Sequence, residues 1–257
     1  MAVSFAAEGA LGFITLDHPP ANSYDLAFMT EFASAVDDAI GSSEVRVAIV
    51  RSANPKFFSA GADIKRFLEG DVEANMEMIR VSQAAFKRMA AASQLFIAFL
   101  AGHAMGGGLE IALACDIRLA SAGSFRMGLP EVTLGLLPGN GGTQRLTRLV
   151  GPSRAMELLV TGRTYKVDEA ASIGLVAAVF DAEEADAKVR EYAEGLAAGA
   201  SLAIASIKRC VYEGGEQSLD DGLALEAALM EQLFRSRDAA EGLQAFVEKR
   251  KAEFVGS

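Results

Sequence analysis

Two glutamates stand where the chain offers little competing charge. Glu110 follows directly on Gly106-Gly107-Gly108-Leu109, and Glu131 is the single charged residue between Met127 and Asn140. A carboxyl group in apolar surroundings has a raised pKa and can hold or deliver a proton near neutral pH. Two such acids sharing a pocket titrate as a pair. Taken singly, each glutamate is as readable as a surface or capping residue.

Glycines crowd the same region: Gly102, Gly106, Gly107, Gly108, Gly128, Gly135, Gly139, Gly141 and Gly142. Such clustering implies close backbone approach or unusual dihedrals, because glycine is a poor helix or strand former. The triple glycine directly precedes Leu109–Ala114, a helical segment. Free N–H groups at a helix start favour an anion, and the alternative is a tight strand-to-helix turn with no ligand. The familiar glycine-rich motifs are excluded. Gly139-Asn140-Gly141-Gly142-Thr143-Gln144 is not GxGxxG, and the chain contains neither GK[ST] nor GxSxG.

The elements that position these residues belong to a chain of 257 residues, 51% hydrophobic, with a formal charge of −10. That length suits one large domain, or one with a small appendage, and the core-forming content excludes disorder. The negative charge argues against general nucleic-acid binding. Cys115 and Cys210 form no CxxC, which excludes a disulfide framework and a cysteine zinc site; both read as small buried hydrophobes in a reducing compartment. His18 and His103 form no HExxH and read as structural or surface residues. The N-terminus lacks a basic n-region, so a cytoplasmic location is expected. Met89–Leu109 has 21 residues without Asp, Glu, Lys or Arg, the length of a membrane span, but Gly102 and the triple glycine favour strand, turn and helix.

Strands are expected at Leu11–Leu16, Val45–Val50, Leu95–Leu100, Asp116–Ala120 and Leu175–Phe180, with a loop over Ser52–Gly61. Asp25 is placed to cap a helix whose apolar face is Phe28, Met29, Phe32, Val36, Ala39 and Ile40. Asp71–Ala91 reads as a long helix. Pro152 starts another, with Met156, Leu158 and Leu159 as its apolar face. All six prolines lie at or before Pro152, and the rest of the chain is mostly helix. Ser218-Leu219-Asp220-Asp221 caps a stripe of Leu219, Leu223, Ala227, Met230 and Phe234 that must pack somewhere. Strands alternating with helices, then helices alone, indicate α/β with a helical C-terminal region.

Three segments together resemble the enoyl-CoA hydratase/isomerase family, the crotonase superfamily. They are Phe57-Phe58-Ser59-Ala60-Gly61-Ala62-Asp63-Ile64-Lys65, then Gly102 to Glu110 followed by Ala114-Cys115-Asp116-Ile117-Arg118, then Gly128 to Val132 with Leu136 to Leu146. Ala245–Lys251 is similar to the family's ending, so the resemblance spans nearly the whole chain. It implies a spiral of ββα units over 1–200, carrying the active site, and a helical trimerisation region over 201–257. It implies a homo-oligomer, either a trimer or a dimer of trimers, acting on a 2-enoyl-CoA. The backbone N–H groups of Ala62 and Gly107 would form an oxyanion hole, and Glu110 and Glu131 would hold the attacking water. Ala60, Ala62, Asp63, Ile64, Lys65, Gly107, Pro138, Gly139, Phe246 and Lys249 would contact the CoA thioester. No metal or redox cofactor is implied, CoA being part of the substrate; fatty-acid β-oxidation is one expected setting, with amino-acid, aromatic and polyester-related pathways left open.

The chain departs from the family pattern at Ala101, Met127 and Asn140, at a stretch between Asp116 and Glu131 one residue longer than usual, and at Ala21-Asn22-Ser23-Tyr24, where Tyr24 would shape an acyl or pantetheine contact. Two glutamates favour hydration over double-bond isomerisation, decarboxylation or thioester hydrolysis, since family isomerases generally keep only the acid at the place of Glu131. A non-catalytic RNA-binding module is the reading from another class, opposed by the negative charge and by the intact Ala62, Gly107, Glu110 and Glu131.

Overall fold

The computed structural model describes residues 1–257. The chain opens with a hairpin of β1 (Val3–Glu8) and β2 (Leu11–Leu16), followed by β3 (Ser23–Tyr24) and α1 (Leu26–Gly41). Next come β4 (Val47–Ser52), β5 (Phe57–Ser59), β6 (Gly61–Ala62), α2 (Ile64–Glu69) and α3 (Val72–Ala91). β7 (Leu95–Leu100), β8 (His103–Met105) and α4 (Gly107–Ala114) form the next turn of the chain. β9 (Ile117–Ser121) and β10 (Arg126–Gly128) then lead through a 3-10 turn at Glu131–Leu134 to α5 (Gly142–Val150) and α6 (Pro152–Thr161). After β11 (Tyr165–Lys166), α7 (Val167–Ser172) and β12 (Ala178–Phe180), the chain is helical: α8 (Ala185–Ala197), α9 (Ser201–Tyr212), α10 (Leu219–Phe234) and α11 (Arg237–Glu248).

The strands form a six-stranded sheet in the order β1-β2-β4-β7-β9-β12, a second sheet β11-β10-β8-β5, and the pair β3-β6. From β2 to β12 the large sheet is parallel, and only β1 runs against its neighbour. Each of β4, β7 and β9 steps over to β5, β8 and β10 in the second sheet before helices carry the chain back. This is the spiral of ββα units that the resemblance implied.

Both faces of the large sheet are covered, which explains its nearly continuous apolar strands. Ala48, Val50, Phe96, Ala98 and Leu100 face the main core, shared with Phe28, Phe32 and Val36 of α1 and Ala85, Phe86 and Met89 of α3. The alternate residues Val47, Ile49, Leu95, Ile97 and Phe99 pack under Ala185, Val189, Ala193 and Ala197 of α8. Asp25 caps α1 by accepting from Phe28 N at 3.0 Å, and Asp71 caps α3 through Ala74 N at 2.8 Å.

Several elements differ from expectation. β1 is not among the expected strands; its residues are mostly exposed, and it pairs with β2 along its whole length. Ser52–Gly61 is not simply a loop: it contains β5, three residues long. The last strand is only Ala178–Phe180; Leu175 and Val176 are buried ahead of it outside the ladder. Met156 points outward, and α6 packs through Ala155 and Leu158 instead. Cys115 is buried and Cys210 half-buried, and both are free thiols. Residue 200 falls between α8 and α9. No helix is long and apolar enough to cross a membrane.

Candidate active site

Parallel pairing of β5, β8 and β10 brings the three motif segments to one edge. Met127 and Gly128 lie in register with Ala104 and Met105, and Gly106 N donates to Gly128 O at 2.8 Å. The chain leaves β8 into α4 and β10 into the 3-10 turn, so Glu110 and Glu131 emerge from neighbouring strand ends. The glycines permit the approach. A Cβ on Gly102 would lie 2.7 Å from the Lys56 carbonyl carbon, and one on Gly108 would overlap the Ser59 carbonyl. Gly106 caps α4 at a φ of 52°, a left-handed value unfavourable to side-chain-bearing residues. Ala62, on β6, is adjacent: a Cβ on Gly61 would lie 3.3 Å from Gly107 N.

Glu110 sits in the first turn of α4 and is 2% exposed. Its Oε1 accepts from Asn140 N and Gly142 N, each at 2.7 Å, which ties α4 to the loop entering α5. Burial pushes its carboxyl up to about 7, with the charge of Glu131 adding and the two backbone bonds opposing. Glu131 opens the 3-10 turn behind Pro130. Its Oε1 would lie 2.9 Å from a Cβ on Gly106, and its Oε2 is buried with no protein partner. Burial raises it, too, to about 7. Two partly protonated carboxyls near neutrality can exchange protons in either direction with a bound molecule.

The remaining candidates divide. Ala60 and Ala62 are half-buried, Pro138 is buried, and Gly139 is half-buried with its carbonyl accepting from Gln83 Nε2 at 2.7 Å. Asp63 caps α2 by accepting from Lys65 N at 2.9 Å, while Ile64 and Lys65 are exposed at the start of that helix. Phe246 is 84% exposed on α11, and Lys249 is its exposed left-handed C-cap. The principal packing partner of α11 is α10, not α4 or the turn that carries Glu131. Within this one chain, therefore, Phe246 and Lys249 are set apart from the cluster.

The sequence reading passed over the residues behind Glu110. Arg145 Nη1 donates to Asn140 O at 2.9 Å, so the arginine braces the loop whose amides hold the glutamate. A basic residue one turn into a helix that starts at Gly141-Gly142 was the available signal. Tyr24 also enters the cluster, accepting at its Oη from Asn140 Nδ2 at 2.8 Å. No group of three or more His, Cys, Asp and Glu side chains is placed to hold a metal.

Comparison with known proteins shows the family. The family model for enoyl-CoA hydratase/isomerase matches residues 6–257. The chain belongs to the enoyl-CoA hydratase/isomerase family. A probable enoyl-CoA hydratase of Bacillus subtilis is 38% identical, with 99% of each chain covered. A short-chain-enoyl-CoA hydratase of Clostridium acetobutylicum is 36% identical over 96% of this chain and 94% of its own. A solved enoyl-CoA hydratase structure from Geobacillus kaustophilus superposes with a TM-score of 0.96 at 43% identity, covering 100% of this chain and 97% of that one. The crotonase fold of the family is thus the fold of this chain, C-terminal helices included.

Proposed function

We propose that this chain is an enoyl-CoA hydratase, adding water across the 2,3 double bond of a 2-enoyl-CoA to give the 3-hydroxyacyl-CoA. The observation that carries the reading is the pair of sequestered carboxyls, Glu110 and Glu131, both lifted to about 7 at one glycine-lined edge. The names of the similar proteins support it, the Clostridium relative being a short-chain-enoyl-CoA hydratase.

In this reading the thioester oxygen lies against the N–H groups of Ala62 and Gly107. Gly107 is the first residue of α4, so its amide has no intrahelical acceptor and lies at the positive end of the helix dipole. The water oxygen bonds to C3 as one glutamate takes its proton. The electron pair of the double bond moves to the thioester oxygen as an enolate, and the other glutamate delivers a proton to C2. Donors placed in advance at the enolate oxygen stabilise that charge, and losing one typically costs about 3 kcal/mol. CoA would run along Ala60–Lys65 and past Pro138-Gly139, with Lys65 facing its phosphates. Phe246 and Lys249 are proposed CoA contacts as well. The reaction needs no metal or redox group.

The test follows the ultraviolet absorbance of crotonyl-CoA with the native chain, Glu110→Gln and Glu131→Gln. Hydration by the native chain is expected, with each variant slower by on the order of 10²–10⁴-fold. Failure of the native chain on this and longer enoyl-CoAs would overturn the assignment. Isomerisation of a 3-enoyl-CoA that survives Glu110→Gln but not Glu131→Gln would establish the isomerase instead.

A further inference from the structure

Tyr24 touches both residues whose amides are proposed to hold the thioester oxygen. Its backbone lies in register with Ala62 in the β3–β6 pair, and Asp63 N donates to Tyr24 O at 2.8 Å. Its side chain reaches across to α4, where a Cβ on Gly107 would overlap the hydroxyl and the adjacent ring carbon. Tyr24 is 2% exposed, so this hydroxyl lies inside the site and not at its rim.

The hydrogen bonding around it is incomplete. Asn140 Nδ2 donates to Tyr24 Oη at 2.8 Å, which occupies a lone pair and leaves the phenolic hydrogen to be given elsewhere; it meets no protein acceptor. Asn140 is 4% exposed, and its Oδ1 is also buried without a partner. Buried polar groups are normally satisfied, so an unmatched donor at a binding site points to a group that arrives with the ligand. A thioester oxygen held by Gly107 N–H would arrive beside this hydroxyl, which stands where a Gly107 Cβ would be.

We propose that the Tyr24 hydroxyl is a third hydrogen-bond donor to the thioester oxygen, oriented by Asn140. This rests on the hydratase reading of the same site. Burial and the charges of Glu110 and Glu131 hold the phenol well above its ordinary pKa, so it stays protonated and able to donate. Tyr24 is then a catalytic residue and Asn140 a positioning residue. The bond strengthens as the oxygen gains charge, so its removal slows turnover more than it weakens substrate binding.

The experiment uses the full chain and compares it with Tyr24→Phe, Asn140→Ala and the double variant. On crotonyl-CoA, Tyr24→Phe is expected to lower kcat by on the order of 100-fold. Asn140→Ala lowers it less, and adds nothing in the Tyr24→Phe background, because both act through one hydrogen. Calorimetric binding separates this role from a structural one. Acetoacetyl-CoA, whose enolate puts charge on the same oxygen, should bind Tyr24→Phe much more weakly, while butyryl-CoA, which forms no such enolate, should keep its affinity within about threefold. An active native chain whose Tyr24→Phe variant retains kcat within about twofold would overturn the inference and leave the hydratase reading intact. Equal loss of affinity for both ligands would also overturn it. An inactive native chain would remove the hydratase reading and this inference together.

Discussion

Glu110 and Glu131 carry opposite demands for stability and chemistry. Each has an ordinary pKa near 4.5 and a folded value of about 7. Between these values the folded chain binds more protons than the unfolded one, so each carboxyl makes stability fall as pH rises through that window. The favourable contribution is complete below about 4.5 and lost above about 7. Glu110→Gln removes the charge but keeps an oxygen for the Asn140 and Gly142 amides. Its melting temperature is therefore expected to exceed the native value at pH 8, by an amount equivalent to about 3 kcal/mol, and to converge with it at pH 4.5. Thermal unfolding across that range checks this; a constant gap would refute the linkage. In the proposed hydration, one acid accepts a proton while its neighbour gives one. A bell-shaped pH–rate profile with its maximum near neutrality is expected, reporting the pair and not either residue alone.

Among the elements, α9 shows how a helix from the C-terminal region is anchored to the spiral. Lys208 projects from it into the core, where Nζ donates to Met89 O and Gln94 O at 2.7 Å each and to Asp116 Oδ2 at 2.9 Å. Asp116 Oδ2 also accepts from Phe96 N at 2.7 Å, so one ion pair joins α9 to the end of α3 and the starts of β7 and β9. Lys208→Met leaves the Asp116 carboxylate buried without its cation, a loss of about 3–5 kcal/mol. Lys208→Met with Asp116→Asn should recover much of it; urea denaturation reads both. At this scale the readable elements were those with strong local patterns, such as the capped helices α1 and α3 and the apolar strands β2 and β7. The two- and three-residue strands β3, β5, β6, β8 and β10 were not readable, because so short a segment has no period and is extended only by its partner.

In the whole molecule, the C-terminal helices leave a broad apolar surface uncovered. Leu219, Leu223, Met230 and Phe234 of α10 are all exposed, as are Phe246 and Val247 of α11; on α10 only Leu229 is buried. Apolar area of that extent marks an association surface. We therefore expect association through this region, and the family resemblance implies that the product is a trimer or a dimer of trimers. Light scattering on a sizing column should give that mass for the native chain, and Leu223→Glu with Phe234→Glu should shift it to smaller species. A monomeric native chain would refute this expectation.

The sequence by itself determined the candidate set and its order: an Ala62 loop, a glycine-led Glu110 helix, and an isolated Glu131 after Pro130. These are local features, set by residue types within a few positions of one another. It also determined the alternation of strands and helices, through period and capping. Only the tertiary structure decided what meets what. Tyr24 and Asn140 are 116 positions apart and hydrogen-bonded; Lys208 and Asp116 are 92 apart and paired. The rise of both carboxyls to about 7 likewise comes from burial that the spiral creates. Desolvation and orphaned hydrogen bonds depend on the three-dimensional surroundings of a group, and no local run of residues encodes them.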